Sequence, residues 1–135
     1  GDSESSYVYS NTRFKPLPWI APVLDIKQHI ESATGNKFNS VLLNYYRDGQ
    51  DAMGWHSDDE KELGQQPTIA SLSLGGARRF LLRRKDKPEK SIALELQHGS
   101  LLLMQGDTQK NYLHSLPSTT KQISARINLT FRKIL

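Results

Sequence analysis

The sequence predicts a mainly β domain with one or more flanking helices and a double-stranded β-helix (jelly-roll) core. Three observations carry this: many short β-rich segments separated by turn residues, one amphipathic helical stretch before them, and no fixed-period repeat. With 135 residues and 36% hydrophobic content, the chain has enough apolar material for one compact core.

Residues 1–20 show no clear period. They combine a Ser-rich start with Tyr7, Tyr9 and Trp19, and are expected to form a lid or arm on the domain spanning 21–135. From Pro22 to Gly35 the apolar residues Val23, Ile26, Ile30 and Ala33 share one helical face. A proline near the start and a glycine at the end mark its limits. From Phe38 onward seven segments read as strands: FNSVLLNYY, PTIASLSL, ARRFLLRR, KSIALEL, SLLLMQ, NYLHSL and ARINLTFRKI. Turn-rich stretches such as RDGQD, LGQQP, KDKPEK and QHG divide them.

Composition narrows the chemistry. The chain has no cysteine, so disulfides and thiolate metal sites are excluded and a metal must be held by His, Asp or Glu. No apolar run approaches the roughly 20 residues that cross a bilayer, and the N-terminal residues are too polar for a secretory signal. No membrane partner is expected, and the setting is intracellular. A formal charge of +4 is compatible with a polyanionic partner without requiring one.

His56 and Asp58 in WHSDDE are two apart, which on an extended strand puts both on one face, within reach of one ion. His114, in the strand-like NYLHSLP, is available as a third ligand from a facing strand. Two histidines and one carboxylate make a facial triad that leaves positions open on non-haem iron. Taken singly, a histidine in a β-rich chain is more often a surface or hydrogen-bonded core residue than a ligand, and H-x-D occurs by chance in many proteins. His29, in the helix, and His98, in a turn, are read as structural.

The C-terminal run ARINLTFR places Arg126, Asn128, Thr130 and Arg132 on one strand face, and Ile127, Leu129 and Phe131 on the other. Such a polar face is either solvated at an edge or turned into the barrel. Interior guanidiniums are costly unless anions satisfy them, and a dicarboxylate with one carboxylate per arginine would do so.

These residues together resemble the AlkB-type nucleic-acid dealkylases of the Fe(II)/2-oxoglutarate superfamily, nearest their DNA-repair branch. The shared features, in order, are N-x-Y at Asn44 and Tyr46, H-x-D at His56 and Asp58, SLSLG, HGSLLLM, His114 before SLP, and the terminal R-x-N-L-T-F-R. The resemblance runs from about Tyr7 to the end of the chain. It implies that His56, Asp58 and His114 bind Fe(II). It also implies that Asn44, Tyr46 and Arg126 hold the distal carboxylate of 2-oxoglutarate, with Asn128 and Arg132 near its chelating end. The implied reaction consumes O₂ and 2-oxoglutarate and removes the methyl group of 1-methyladenine or 3-methylcytosine as formaldehyde, with succinate and CO₂ as co-products.

A lesion on the Watson–Crick edge must leave the base stack to react. By the same resemblance Glu60 accepts a hydrogen bond from the exocyclic amine, and Tyr9 and His56 stack on the two faces of the base. Tyr7, Trp55 and Arg78 are further pocket candidates. Between Arg78 and Lys90 lie seven basic residues against Asp86 and Glu89. The hairpin carrying Arg83, Arg84 and Lys85 is read either as a grip on nucleic-acid phosphates or as a charged, soluble edge.

The expected partner is DNA with alkylated bases, RNA being a second candidate, and the expected state is a monomer. Location would be the cytoplasm of a bacterium or the nucleus of a eukaryote. AlkB-type proteins carry more lid sequence ahead of this point, so the chain is expected to begin part-way through that lid. Two rival readings stand: a dioxygenase of the same chemistry acting on a protein or small molecule, and a nucleic-acid-binding module without turnover.

Overall fold

The computed structural model describes residues 1–5 and 15–135 in full, together with the backbone of two three-residue strands, β1 (Tyr7–Tyr9) and β2 (Thr12–Phe14), which pair antiparallel. Trp19 ties the following segment down: its ring stacks on Phe131 at 6.5 Å between centroids, and its indole N–H donates to Asp2 Oδ1 at 2.8 Å.

Helix α1 spans Ala21–Thr34, with Pro22 in its first turn. Gly35 ends it in the left-handed region at φ 73°, its N–H donating to the Glu31 carbonyl. Val23, Ile26 and Ile30 pack as the sequence predicts, but Ala33 is exposed. Glu31 is buried instead, because it accepts the Phe38 N–H at 2.8 Å and pairs with Lys27 at 3.2 Å.

The remaining strands are β3 (Ser40–Tyr46), β4 (Met53–His56), β5 (Ile69–Gly75), β6 (Arg78–Arg84), β7 (Ser91–Leu96), β8 (Leu101–Met104), β9 (Tyr112–Leu116) and β10 (Arg126–Arg132). A 3-10 turn covers Lys61–Leu63, and a one-turn helix, α2, covers Thr108–Asn111. The strands form two four-stranded antiparallel sheets, β3-β10-β5-β8 and β4-β9-β6-β7. This is the jelly-roll arrangement the segment pattern predicts.

The sequence reading found seven of these eight core strands and missed β4. Four residues containing Gly54 have no alternation to recognise, and β4 exists because β9 pairs with it through Met53↔Leu116 and His56↔His114, with a register shift between the two. One apolar cluster, including Tyr46, Ile69, Phe80, Met104 and Leu116, fills the space between the sheets. A second seats α1 on the outer face of the first sheet through Val23, Ile30, Phe38, Ala70, Leu129 and Phe131. Gly75 and Gly76 let the chain turn from β5 to β6 directly under residues 124–125: Gly75 has φ 96°, and a Cβ on either would strike the carbonyl of Ala125 or Ser124.

Candidate metal centre

His56 closes β4 and His114 lies directly opposite it on β9, so both imidazoles project to the inner face. Their ring centroids are 4.2 Å apart, and the His114 ring also packs on Phe80 at 5.4 Å. Asp58 joins them from just beyond the strand, because β4 ends at His56 rather than continuing. One ligand atom from each of the three lies within 4.8 Å of the others.

His56 Nδ1 sits 2.8 Å from the Gly54 carbonyl, which can only accept, so Nδ1 carries a hydrogen and Nε2 is the nitrogen turned toward Asp58 Oδ1, 3.9 Å away. Burial, reinforced by the nearby charge of His56, lowers the His114 pKa to about 4, so this ring is neutral at physiological pH. Asp58 is 1% exposed. Its burial opposes ionisation, but Arg132, His114 and His56 together hold its carboxyl below the ordinary carboxylate range. Arg132 Nη2 donates to Asp58 Oδ2 at 3.0 Å, while Asp58 Oδ1 is buried with no hydrogen-bond partner.

Strand β10 turns its polar face inward. Arg126, Asn128, Thr130 and Arg132 are all buried, and with the triad they line one cavity between the sheets. Arg132 stands at the metal end. There its Nη2 pairs with the Asp58 carboxylate at 3.0 Å, so the protein itself supplies an anion for this arginine. Arg126, six residues earlier on the strand, donates from Nη2 to Ser73 Oγ at 2.9 Å and stands 5.1 Å from the Tyr46 ring centroid. Burial lowers its pKa, its Nε has no partner, and it has no ion pair among the described residues. Asn128 donates to Ser71 Oγ and accepts from Thr130 Oγ1, with Asn44 beside it on β3. The far end of the cavity is thus a buried cation without an anion.

The other candidates separate by position. Glu60 is half-buried two residues beyond Asp58, and burial, followed by the charges of Asp58 and Asp59, raises its pKa. Tyr7 and Tyr9 belong to β1, and their side chains lie outside the described residues. Arg78 departs from its expected place in a base pocket: at 2% exposure its guanidinium is spent on the main-chain carbonyls of Asp48, Asp51 and Pro117, clamping the loop after β3 to the loop after β9. Trp55 stacks under the Arg83 guanidinium at 4.1 Å. Because His56 and His114 point inward, Trp55 and Leu113 face outward, and Arg83, paired with Leu113, lies with them on the outer face. Arg84 forms a two-point ion pair with Asp86 at 2.8 and 3.0 Å, and Lys85 donates to the Gln109 carbonyl at 3.1 Å.

Sequence reasoning missed Ser73, which holds Arg126, and Gln109, whose Oε1 accepts the Asp58 N–H at 2.8 Å. Neither carries a pattern: Ser73 reads as a small strand residue, and Gln109 lies in a single helical turn.

Two imidazoles and a carboxylate with an unpartnered oxygen are the donor set of a non-haem Fe(II) site, and Arg126, without an ion pair among the described residues, suits the far carboxylate of a dicarboxylate co-substrate. The sequence matches the profile of the 2OG-Fe(II) oxygenase superfamily over residues 1–132. The chain belongs to this superfamily. Among its relatives, the DNA oxidative demethylase ALKBH2 of Homo sapiens is 46% identical over 143 residues, an alignment covering 100% of this chain and 54% of that protein. The alpha-ketoglutarate-dependent dioxygenase alkB homolog 3 of Rattus norvegicus is 44% identical, over 97% of this chain and 48% of the relative. The chain spans about half the length of the curated relatives it matches. The solved structure of OsALKBH1 superposes with a TM-score of 0.62 at 22% identity, over 88% of this chain and 66% of that one, and shares the superfamily fold. Fe(II), 2-oxoglutarate and O₂ are therefore the cofactor and co-substrates the family uses. Among the described residues no helix is long and apolar enough to cross a membrane.

Proposed function

We propose that this chain is the dioxygenase domain of an oxidative demethylase acting on N-alkylated bases, 1-methyladenine and 3-methylcytosine, in DNA, with RNA as a second polymer. The observation that carries this is the cavity between the sheets that runs from a two-histidine, one-carboxylate cluster to an arginine with no ion pair among the described residues. The relatives named as DNA oxidative demethylases support the substrate class.

In this reading His56, Asp58 and His114 hold Fe(II). Arg126, with Asn44 and Tyr46, binds the distal carboxylate of 2-oxoglutarate. Asn128 flanks the chelating end, and Arg132 holds Asp58 in its charged form there. When bound, Fe(II) with 2-oxoglutarate and O₂ supplies the oxidation of the base N-methyl group, releasing succinate, CO₂ and formaldehyde. The chain's own part is placement: the ion pair with Arg132 keeps Asp58 ionised, and Glu60 accepts a hydrogen bond from the exocyclic amine of the lesion. Tyr9 stacks on the extruded base opposite His56, and Tyr7 is a second candidate contact to that base. Residues 1–20 are part of a nucleotide-recognition lid or arm, and 21–135 are the jelly-roll dioxygenase domain. The protein acts as a monomer inside the cell, in the nucleus of a eukaryote or the cytoplasm of a bacterium.

The test is incubation with methylated oligonucleotides, Fe(II), ascorbate and 2-oxoglutarate, followed by mass analysis of the oligonucleotide. Loss of the methyl group only when 2-oxoglutarate is present is the expected result. Intact methyl groups on every oligonucleotide, from protein that binds metal and 2-oxoglutarate, would overturn the substrate assignment.

A further inference from the structure

The Asp58 main chain lies beyond the last residue of β4 paired with β9, so its buried N–H has no ladder partner. Gln109, 51 residues further along, supplies one: its Oε1 accepts that N–H at 2.8 Å. Gln109 is 2% exposed and among the largest fully buried side chains. Its amide is oriented by Met104, whose Sδ receives the Nε2 hydrogen at 3.6 Å and leaves Oε1 for Asp58. The Gln109 carbonyl in turn takes Lys85 Nζ at 3.1 Å, which ties the short α2 to the end of β6. Asp58 is thus gripped at two points, Gln109 on the main chain and Arg132 on Oδ2, and its free Oδ1 is left facing His56 Nε2.

We infer that Gln109 is a positioning residue of the metal centre, holding the Asp58 backbone so that its carboxylate completes the set begun by His56 and His114. The inference rests on reading those three as the metal ligands. A buried glutamine that merely satisfied a stray N–H would affect folding stability alone; one that sets the ligand's position must also affect metal affinity. Groups outside the coordination sphere that orient ligands typically contribute 10- to 100-fold to metal binding.

The experiment is anaerobic titration of the full chain with Co(II), without 2-oxoglutarate, reading Kd and the visible ligand-field absorption. Gln109→Met keeps the shape and removes the acceptor; it is expected to raise the Kd about 10-fold or more and to alter the absorption band. Gln109→Glu keeps an oxygen at the same reach and is expected to restore Kd to within a few-fold of the unmodified protein. Gln109→Asn, polar but one methylene shorter, should behave as Gln109→Met does, and it stands in if the methionine variant does not fold. A folded Met or Asn variant with the original Kd and spectrum overturns the inference, as does a Glu variant no better than the Met variant. His114→Ala is the control, and if the unmodified chain binds no Co(II), the metal-site reading falls and this inference with it.

Discussion

Arg126 is the residue whose surroundings demand a ligand most directly. A guanidinium 2% exposed, held by the Ser73 hydroxyl and by the ring and hydroxyl of Tyr46 but by no carboxylate among the described residues, carries a desolvation cost that these partners do not offset. A charge-assisted bond to a bound carboxylate contributes about 1.5–3 kcal/mol, so Arg126→Ala should raise the 2-oxoglutarate concentration for half-maximal activity by roughly 10- to 100-fold. An unchanged half-saturation would remove Arg126 from the site. The three metal-ligand candidates predict a different signature. His56→Ala, Asp58→Ala and His114→Ala should each abolish demethylation with the fold largely kept, and full activity with unchanged iron content in any of them would sink the assignment. Asp58→Ala should also be the least stable of the three, by about 3 kcal/mol in urea unfolding, because it takes the buried ion pair away from Arg132.

Strand β10 shows why part of the site was legible as sequence. Arg126, Asn128, Thr130 and Arg132 alternate with Ile127, Leu129 and Phe131, and since the strand lies between β3 and β5 the period of two converts directly into an inner and an outer face. What the pattern leaves open is which face is inside; α1 decides it by covering Leu129 and Phe131. Strand β4 and helix α2 were not legible, because each is one short stretch made by its tertiary partner, and with them went the offset of Asp58 and the grip of Gln109. Helix α1 gave its stripe correctly except at its end, where a buried ion replaces the expected alanine. That replacement makes a prediction. Burial opposes the charge of Glu31, but the Phe38 N–H and Lys27 outweigh it and lower its folded pKa below the ordinary value. A depressed folded pKa means stability that is present above the unfolded value of about 4.3 and lost as pH falls through the folded pKa. Glu31→Gln keeps an acceptor for Phe38 but loses the charge, so it should cost about 1 kcal/mol at neutral pH, with the gap to the unmodified protein closing in acid. A gap that stays constant down to the acid transition would show that the Glu31 charge contributes nothing.

On the scale of the whole molecule the net charge of +4 matters less than where the cations are free to act. The end of β6 is basic in sequence, but its cations are engaged: Arg83 lies on Trp55, Arg84 is paired with Asp86, and Lys85 reaches Gln109. The Arg84–Asp86 pair is exposed on both sides, so a phosphate can compete for the arginine at little cost. Salt dependence separates a phosphate grip from a merely soluble edge. Each phosphate neutralised by a cation contributes about −0.9 to the slope of log affinity against log salt on duplex DNA, and about −0.7 on single strands. Replacing Arg83 and Arg84 together by alanine should weaken binding by a similar factor whatever the sequence and reduce the magnitude of the slope by about one to two. Asp86→Asn makes the opposite prediction: it releases Arg84 from its internal partner and should tighten binding and steepen the slope, by up to about one contact. Turnover of a methylated free nucleoside, which offers no phosphate, should be nearly unchanged in both. Identical slopes in all three proteins would make the hairpin a charged edge with no nucleic-acid role, and equal loss on the nucleoside in the double variant would place the damage in the packing of β6 against β9 instead.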